Sequence, residues 1–359
     1  MKILIDVSQI IYETGVSVYT KELVSHLVKL FPENEYILYG GSLRRGKEIR
    51  VLSESLGDVR TVTTFISPTI ADVLWNRLHI LPIEKIAGKA DIFHSSDWAE
   101  PPSGMPKVTT IHDLSFIHYP KFTDPKISST HKRRLYWVKR ESTAVIVPSK
   151  ATKEDATKLG ISEKKIRVIP EAPSRIYKKQ KASKIRKVRG KYKIEGRYAL
   201  AVGTSPRKNI VRIINAFDKA KVESKLNKLV VVGGGVSRSN TKNLMYLGHV
   251  PTSELPALYS GASIFIYTSL YEGFGLPILE AFSCGCPVLT SNVSSMPEVA
   301  GSAAVLVDPE STEEITEGIV ETLNKSEGLI EKGKERLRYY SWENAANATM
   351  SVYEELIKL

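Results

Sequence analysis

Residues 264–290 read IFIYTSLYEGFGLPILEAFSCGCPVLT. The first four, Ile264 to Tyr267, are β-branched or aromatic and suit a buried strand. Thr268 to Phe274 reads as a loop in which Phe274 looks exposed. Pro277 fits the first turn of a helix running to about Cys284, with Gly285 as its stop. Val288 to Thr290 then resumes a strand. This is the repeating unit of a parallel sheet covered by helices, and its loop opens where such sheets gather ligands. The first helical N–H groups, near Gly275 and Leu276, have no partner within the helix and offer a site for a diphosphate.

Two carboxylates bracket that site. Glu272 lies in the loop and Glu280 about one turn inside the helix. A carboxylate beside a diphosphate is repelled by it, so Glu280 suits neutral hydroxyls such as those of a ribose. By the same argument Glu272 suits the hydroxyls of a sugar. For a random Glu pair, capping and solvating a helix is the better reading; the intervening Gly-Phe-Gly-Leu-Pro favours a ligand. A metal role is disfavoured, since the chain has no Asp-x-Asp pair and neither acid has a His at ligand spacing.

The same alternation extends in both directions. In the first half, strands fit at Lys2–Asp6, Tyr36–Tyr39, Ile92–His94, Lys107–Ile111, Ala144–Pro148 and Ile166–Ile169. In the second they fit at Tyr198–Val202, Leu229–Val232, Met245–Leu247, Ser263–Tyr267, Val288–Thr290 and Ala304–Val307. Helical patterns lie between them, as at Val18–Leu30, where Leu23, Leu27 and Leu30 share one face. The expected fold is therefore α/β, with two Rossmann-like domains, in a chain of 359 residues that is long for a single core. The expected boundaries are a domain over 1–172, a basic linker over 173–196, a second domain over 197–342 and a terminal helix over 343–359, with apolar positions at Val352, Leu356 and Leu359.

Composition narrows the class. With 42% hydrophobic and 25% charged residues the chain is globular rather than disordered. It shows neither a signal-peptide pattern nor an apolar run long enough to span a membrane. Its 2 cysteines, Cys284 and Cys286, are too close for an ordinary disulfide and too few for a zinc site, which fits a reducing, cytoplasmic setting. The net charge of +12 is concentrated: residues 121–193 hold 23 Lys and Arg against 6 Asp and Glu. That stretch reads either as a solvated lysine-rich surface or as an attractor of anions.

Other strand ends carry candidate groups. Gly203 ends a strand and precedes Arg207 and Lys208 at a helix start that Asn209 is placed to cap. Cations there conflict with the helix dipole unless an anionic ligand sits between them. The run Gly233–Gly235 permits close backbone approach but lacks dinucleotide-binding spacing. In the first half His112-Asp113 follows a strand, and Gly15 lies in the loop after the first strand. A lone His is more often structural than catalytic.

These residues together resemble glycosyltransferase family 4. The most specific match is Glu272-Gly-Phe-Gly-Leu-Pro-Ile-Leu-Glu280, supported by the Gly15 loop, His112-Asp113-Leu114, Pro148-Ser149, Arg207-Lys208-Asn209, Gly248-His-Val250, Ser295-Met-Pro-Glu298 and Ser341-Trp342-Glu343. The resemblance implies the GT-B fold, with two Rossmann-like domains facing across a cleft and a C-terminal helix crossing back to the N-terminal one. It implies a retaining, metal-independent enzyme with no cofactor besides its nucleotide-sugar donor. Arg207 and Lys208 would neutralise the diphosphate, Glu280 would hold the ribose, and Glu272 with the Phe274–Leu276 backbone would hold sugar and phosphates. His112 would contact the sugar, Gly15 would allow close approach, and Val250 would border the base. The family's Asn-Gly ending of the first domain is replaced here by Pro170-Glu171-Ala172. The Gly-Thr…Pro-Arg-Lys-Asn pattern is similar to a mannosyltransferase-like branch, which favours GDP-mannose.

The stretch His118–Arg140, HYPKFTDPKISSTHKRRLYWVKR, mixes aromatic and basic residues. It suits either plain solvent exposure or a peripheral surface meeting a lipid-linked acceptor at an anionic membrane. The expected partners are a nucleotide sugar and a glycan or lipid-linked acceptor, with nucleic acid disfavoured. The alternatives are a nucleotide-sugar epimerase of the same fold, which would need further proton-shuttling groups, and a non-catalytic nucleic-acid or membrane binder using the basic patch.

Overall fold

The computed structural model describes residues 1–12, 14–57, 59–234 and 240–358. The chain forms two compact units, Met1–Glu171 with Trp342–Leu359, and Ala172–Ser341. Among the described residues no helix is long and apolar enough to cross a membrane.

The first unit is built on a parallel sheet of order β3-β2-β1-β4-β5-β6-β7. Its strands are β1 Lys2–Asp6, β2 Glu35–Gly41, β3 Arg60–Thr64, β4 Ile92–Ser95, β5 Lys107–Thr110, β6 Ala144–Val147 and β7 Ile166–Val168. Central strands such as Ala144–Val147 are buried on both faces, which is why they read as continuous apolar runs. The edge strand β3 escaped the sequence reading because RTVTT has one large apolar residue and only partial burial.

The helix Trp342–Ile357 belongs to this unit and packs against the helix Gly15–Leu30. Trp342 meets Tyr19 edge-on at 5.7 Å and stacks on His26 at 6.5 Å. Val352 and Leu356 are buried as their spacing suggests; Leu359 lies outside the described residues. Deeper in, the Tyr353 hydroxyl lies 2.6 Å from His94 Nδ1 at the end of β4. A terminal helix is thus tied to the sheet by a polar contact inside an apolar surround.

The second unit has a parallel sheet of order β10-β9-β8-β11-β12-β13. Its strands are β8 Tyr198–Val202, β9 Lys228–Val232, β10 Leu244–Gly248, β11 Ile264–Tyr267, β12 Val288–Ser291 and β13 Ala304–Val307. Order reverses between β8 and β11, the switch point at which such sheets open a crevice. The basic stretch 173–196 is not bare linker: it holds the helix Ala182–Lys191, whose Val188 is buried in this unit's core.

The basic and aromatic segment 118–140 does not present one surface. It folds largely into the helix Pro125–Glu141, and Arg134 is 4% exposed, donating to Thr109 Oγ1 at 2.6 Å and to the Thr110 carbonyl at 3.0 Å. Arg133 pairs with Asp72 at 2.7 Å, and the Trp137 indole N–H donates to the Asn76 carbonyl. Phe122, Ile127 and Tyr136 remain exposed.

Candidate active site

The loop from β11 into the helix Leu276–Ser283 is held by serine side chains after β12 that donate to its backbone carbonyls. Ser295 Oγ donates to the carbonyls of Glu272 at 2.9 Å and Phe274 at 2.7 Å, and Ser294 Oγ donates to the Glu272 carbonyl at 2.6 Å. Gly275 takes φ +104°, a left-handed conformation that glycine adopts without a Cβ penalty. Phe274 is buried, edge-on to Tyr340 at 5.8 Å, so it is a core anchor of the loop rather than an exposed contact.

Arg207 and Lys208 lie in the short turn Pro206–Lys208 after β8. Lys208 Nζ is 2.6 Å from Glu272 Oε1 and donates to the Tyr267 hydroxyl at 2.7 Å. Arg207 Nη1 is 2.7 Å from Glu272 Oε2 and also donates to the Tyr271 carbonyl. Burial alone would raise the Glu272 pKa, but the two cations outweigh it and hold the carboxyl down at about 2. The cluster is therefore two cations around one carboxylate, with a net positive charge at a strand end.

One glycine makes room for the cluster and a second for the neighbouring Thr204. Gly203 has φ +94°, and a Cβ there would lie 2.9 Å from Lys208 Cγ. Gly233 has φ +141°, and a Cβ would approach Thr204 Cγ2 to 3.1 Å; Gly235 lies outside the described residues. Asn209 does not cap the following helix through its side chain. It adopts φ 61°, and its Nδ2 donates to the carbonyls of Thr268 at 3.0 Å and Pro309 at 2.6 Å, tying three strand-end loops together.

Glu280 sits one turn into its helix and accepts from the Tyr259 hydroxyl at 3.1 Å. Burial lifts its pKa to about 7, against hydrogen bonds from Tyr259 and Tyr177 and the charge of Lys208. Val250 is 3% exposed, with its side chain in the unit's core. Only its backbone is left to border a ligand.

His112 and Gly15 belong to the first unit, apart from the residues just described. His112 Nδ1 lies 2.9 Å from Glu171 Oε1, and its ring meets Tyr19 edge-on at 4.5 Å. Burial depresses the imidazole pKa, but the hydrogen bond and charge of Glu171 outweigh it and the net shift is upward. Gly15 begins its helix after the Thr14 capping box, and a Cβ there would meet nothing within 4 Å. No local packing demands a glycine at that position.

The structure thus brings Arg207, Lys208 and Glu272 into one cluster, followed by Gly275, Leu276 and Glu280 along the loop and helix. Sequence reasoning missed Tyr177, Tyr259, Tyr267, Ser294 and Glu171. The available signals were Tyr267 at a strand's carboxyl end and Glu171 standing where the family pattern has an Asn.

Two parallel α/β units with a charged cluster at the switch point of the second are the architecture shared by glycosyltransferases of the GT-B fold. Residues 14–172 match the family model described as Glycosyltransferase Family 4, and residues 183–341 match that of Glycosyl transferases group 1. The O-antigen chain mannosyltransferase B of Escherichia coli is 31% identical over 283 residues, covering 74% of this chain and 74% of that protein. The serotype-specific mannosyltransferase WbdA of Escherichia coli is 28% identical over 203 residues, 49% of this chain and 24% of that protein. Among solved structures, HepE of Anabaena in complex with UDP and glucose superposes with a TM-score of 0.70 at 17% identity, covering 100% of both chains. The chain belongs to glycosyltransferase family 4.

Proposed function

We propose that the protein is a retaining, metal-independent mannosyltransferase that moves mannose from GDP-mannose to a glycan or lipid-linked acceptor. The observation that carries this reading is the convergence of Arg207 and Lys208 on Glu272, 2.7 and 2.6 Å away, in the loop that leads into the Leu276–Ser283 helix. The names of the relatives favour mannose.

In this reading the second unit binds the donor and the first the acceptor. The diphosphate takes over the two cations and rests on the helix N-terminus, which releases the Glu272 carboxylate to accept sugar hydroxyls. Glu280 accepts from the ribose. The bond from the anomeric carbon to the phosphate oxygen breaks as the acceptor oxygen bonds on the same face, and the departing phosphate takes the acceptor's proton. Arg207 and Lys208 then supply the charge stabilisation that catalysis requires. No protein nucleophile is needed, unlike the paired carboxylates of retaining glycosidases. Metal independence follows in this reading because the two cations neutralise the leaving group.

We place the enzyme in the cytoplasm, peripheral to an anionic membrane, with Phe122, Ile127 and Tyr136 outward beside exposed Lys132 and Arg140. The deciding experiment is a thermal-shift panel of GDP-, UDP- and ADP-sugars on the wild type and on Lys208→Ala. One base should raise Tm by several degrees in the wild type only. No shift with any nucleotide, together with tight salt-sensitive RNA binding, would overturn the transferase reading.

A further inference from the structure

The two acids of the second unit's loop and helix are held by different kinds of donor. Glu272 meets cations, Lys208 at 2.6 Å and Arg207 at 2.7 Å. Glu280 meets neutral phenols: the Tyr259 hydroxyl donates to its Oε2 at 3.1 Å, and the Tyr177 hydroxyl hydrogen-bonds the same carboxyl group. Tyr259 is fully buried in the helix Leu255–Gly261, edge-on to Phe265 at 5.0 Å. Tyr177 reaches in from the opening segment of the second unit, its ring 6.0 Å from that of Tyr259 at an interplanar angle of 70°. That segment is pinned to the same helix, since the Gln180 N–H donates to Ser260 Oγ at 3.1 Å. Glu280 itself stays partly exposed, so a ligand can reach it.

This arrangement fixes what Glu280 can accept. An ionised carboxylate offers about four acceptor positions, and the phenols occupy two of them. The remaining pair matches the vicinal 2′ and 3′ hydroxyls of a ribose, which are neutral donors. Without the phenols, burial would favour the protonated acid more strongly, and that form gives up acceptor positions to become a donor. Both rings are packed within one unit, so they also fix the direction in which the carboxylate points. Phenylalanine would serve a core that needed only apolar packing at Tyr259. A fully buried phenol requires a partner, and here the partner is the Glu280 carboxylate.

We infer that Tyr259 and Tyr177 are positioning residues for the donor's ribose: they hold Glu280 as an oriented acceptor, and recognition of the intact diol depends on their hydroxyls. The inference rests on the proposed reading in which Glu280 accepts from the ribose. It adds a specificity element to that site, because the choice of a ribonucleoside over a deoxyribonucleoside diphosphate is set by residues acting through the carboxylate.

Calorimetry of the full chain with GDP, 2′-deoxy-GDP and 3′-deoxy-GDP tests it. The wild type should favour GDP over each deoxy analogue by about ten-fold or more, the effect of losing one hydrogen bond to a charged acceptor. Tyr259→Phe and Tyr177→Phe keep the rings and remove only the hydroxyls. Each should shrink that preference about three-fold or more, while the deoxy analogues bind nearly as before.

The pH dependence of the preference gives a second readout, in which the titration of the diphosphate cancels. Tyr259, Tyr177, the charge of Lys208 and the Cys284 thiol all act on Glu280, and the Phe variants remove only the phenol donors. Losing such a donor raises the carboxyl pKa. The rise of the GDP preference with pH should therefore move to higher pH in both variants, whereas a general packing defect would weaken all three nucleotides at every pH. A wild type that binds GDP no better than its deoxy analogues, or not at all, or a preference that survives Glu280→Ala, defeats the proposed donor reading and the inference with it. A preference that Glu280→Ala abolishes but both Phe variants retain in full leaves the donor reading standing and overturns the inference alone.

Discussion

The Nζ of Lys208 lies 2.6 Å from Oε1 of Glu272, across 64 residues of sequence, while Arg207 holds the other carboxylate oxygen. In the proposed reading the carboxylate thus occupies the two cations that a donor diphosphate needs, and the two anions compete for one pair of charges. Replacing Glu272 with Gln removes the competitor without removing the cations. Glu272→Gln should therefore bind a free nucleoside diphosphate more tightly than the wild type while its turnover falls, measured by calorimetry and by steady-state kinetics. Lys208→Ala should instead lose nucleotide binding, with kcat/KM down about 100- to 1,000-fold.

His112 and Glu171 give a pH prediction with a defined sign. The folded pKa of His112 is raised, so the charged pair is fully formed below the ordinary histidine pKa and is lost as pH rises through the higher folded value. Glu171→Gln removes that support. The alkaline limb of the kcat/KM profile should move to lower pH in this variant, whereas a purely structural role would lower activity at every pH alike.

Gly203→Ala tests the room that the cluster requires. The left-handed backbone at φ +94° costs a non-glycine residue about 1–2 kcal/mol. The new methyl would also lie within 3 Å of the Lys208 side chain and push it from Glu272. A modest fall in Tm with a disproportionate loss of nucleotide affinity is expected. Gly15→Ala, with open space around the new carbon, should leave Tm nearly unchanged.

What could be read from the sequence and what could not divide along physical lines. Strands such as Ile264–Tyr267 announce themselves because burial on both faces demands unbroken apolar runs. The Glu272–Glu280 spacing was legible because loop and helix lie within one local unit. Partners that meet only through the fold were not: His112 and Glu171 are 59 residues apart, and Tyr259 reaches Glu280 from a separate helix. Phe274 misled because a residue between two glycines in a loop looks exposed, yet its side chain anchors that loop in the core. Asn209 misled for a similar reason, since a residue type that favours helix caps here satisfies two loop carbonyls instead.

His94 links the terminal helix to acid stability. It is fully buried between the Tyr353 hydroxyl at 2.6 Å and Thr110 Oγ1 at 2.9 Å, and burial depresses its pKa to about 3. The unfolded chain binds a proton at His94 near pH 6.5, but the folded chain does so only far lower. Between those values the unfolded state holds more protons, so stability falls as pH drops, by at most about 1.4 kcal/mol per pH unit for this one group. Tm should therefore decline from pH 7 to pH 4.5 in the wild type. His94→Gln, which keeps hydrogen-bonding capacity without a titrating proton, should be less stable at pH 7 yet show a shallower decline. A variant whose Tm falls as steeply as the wild type's would locate the acid sensitivity elsewhere in the chain.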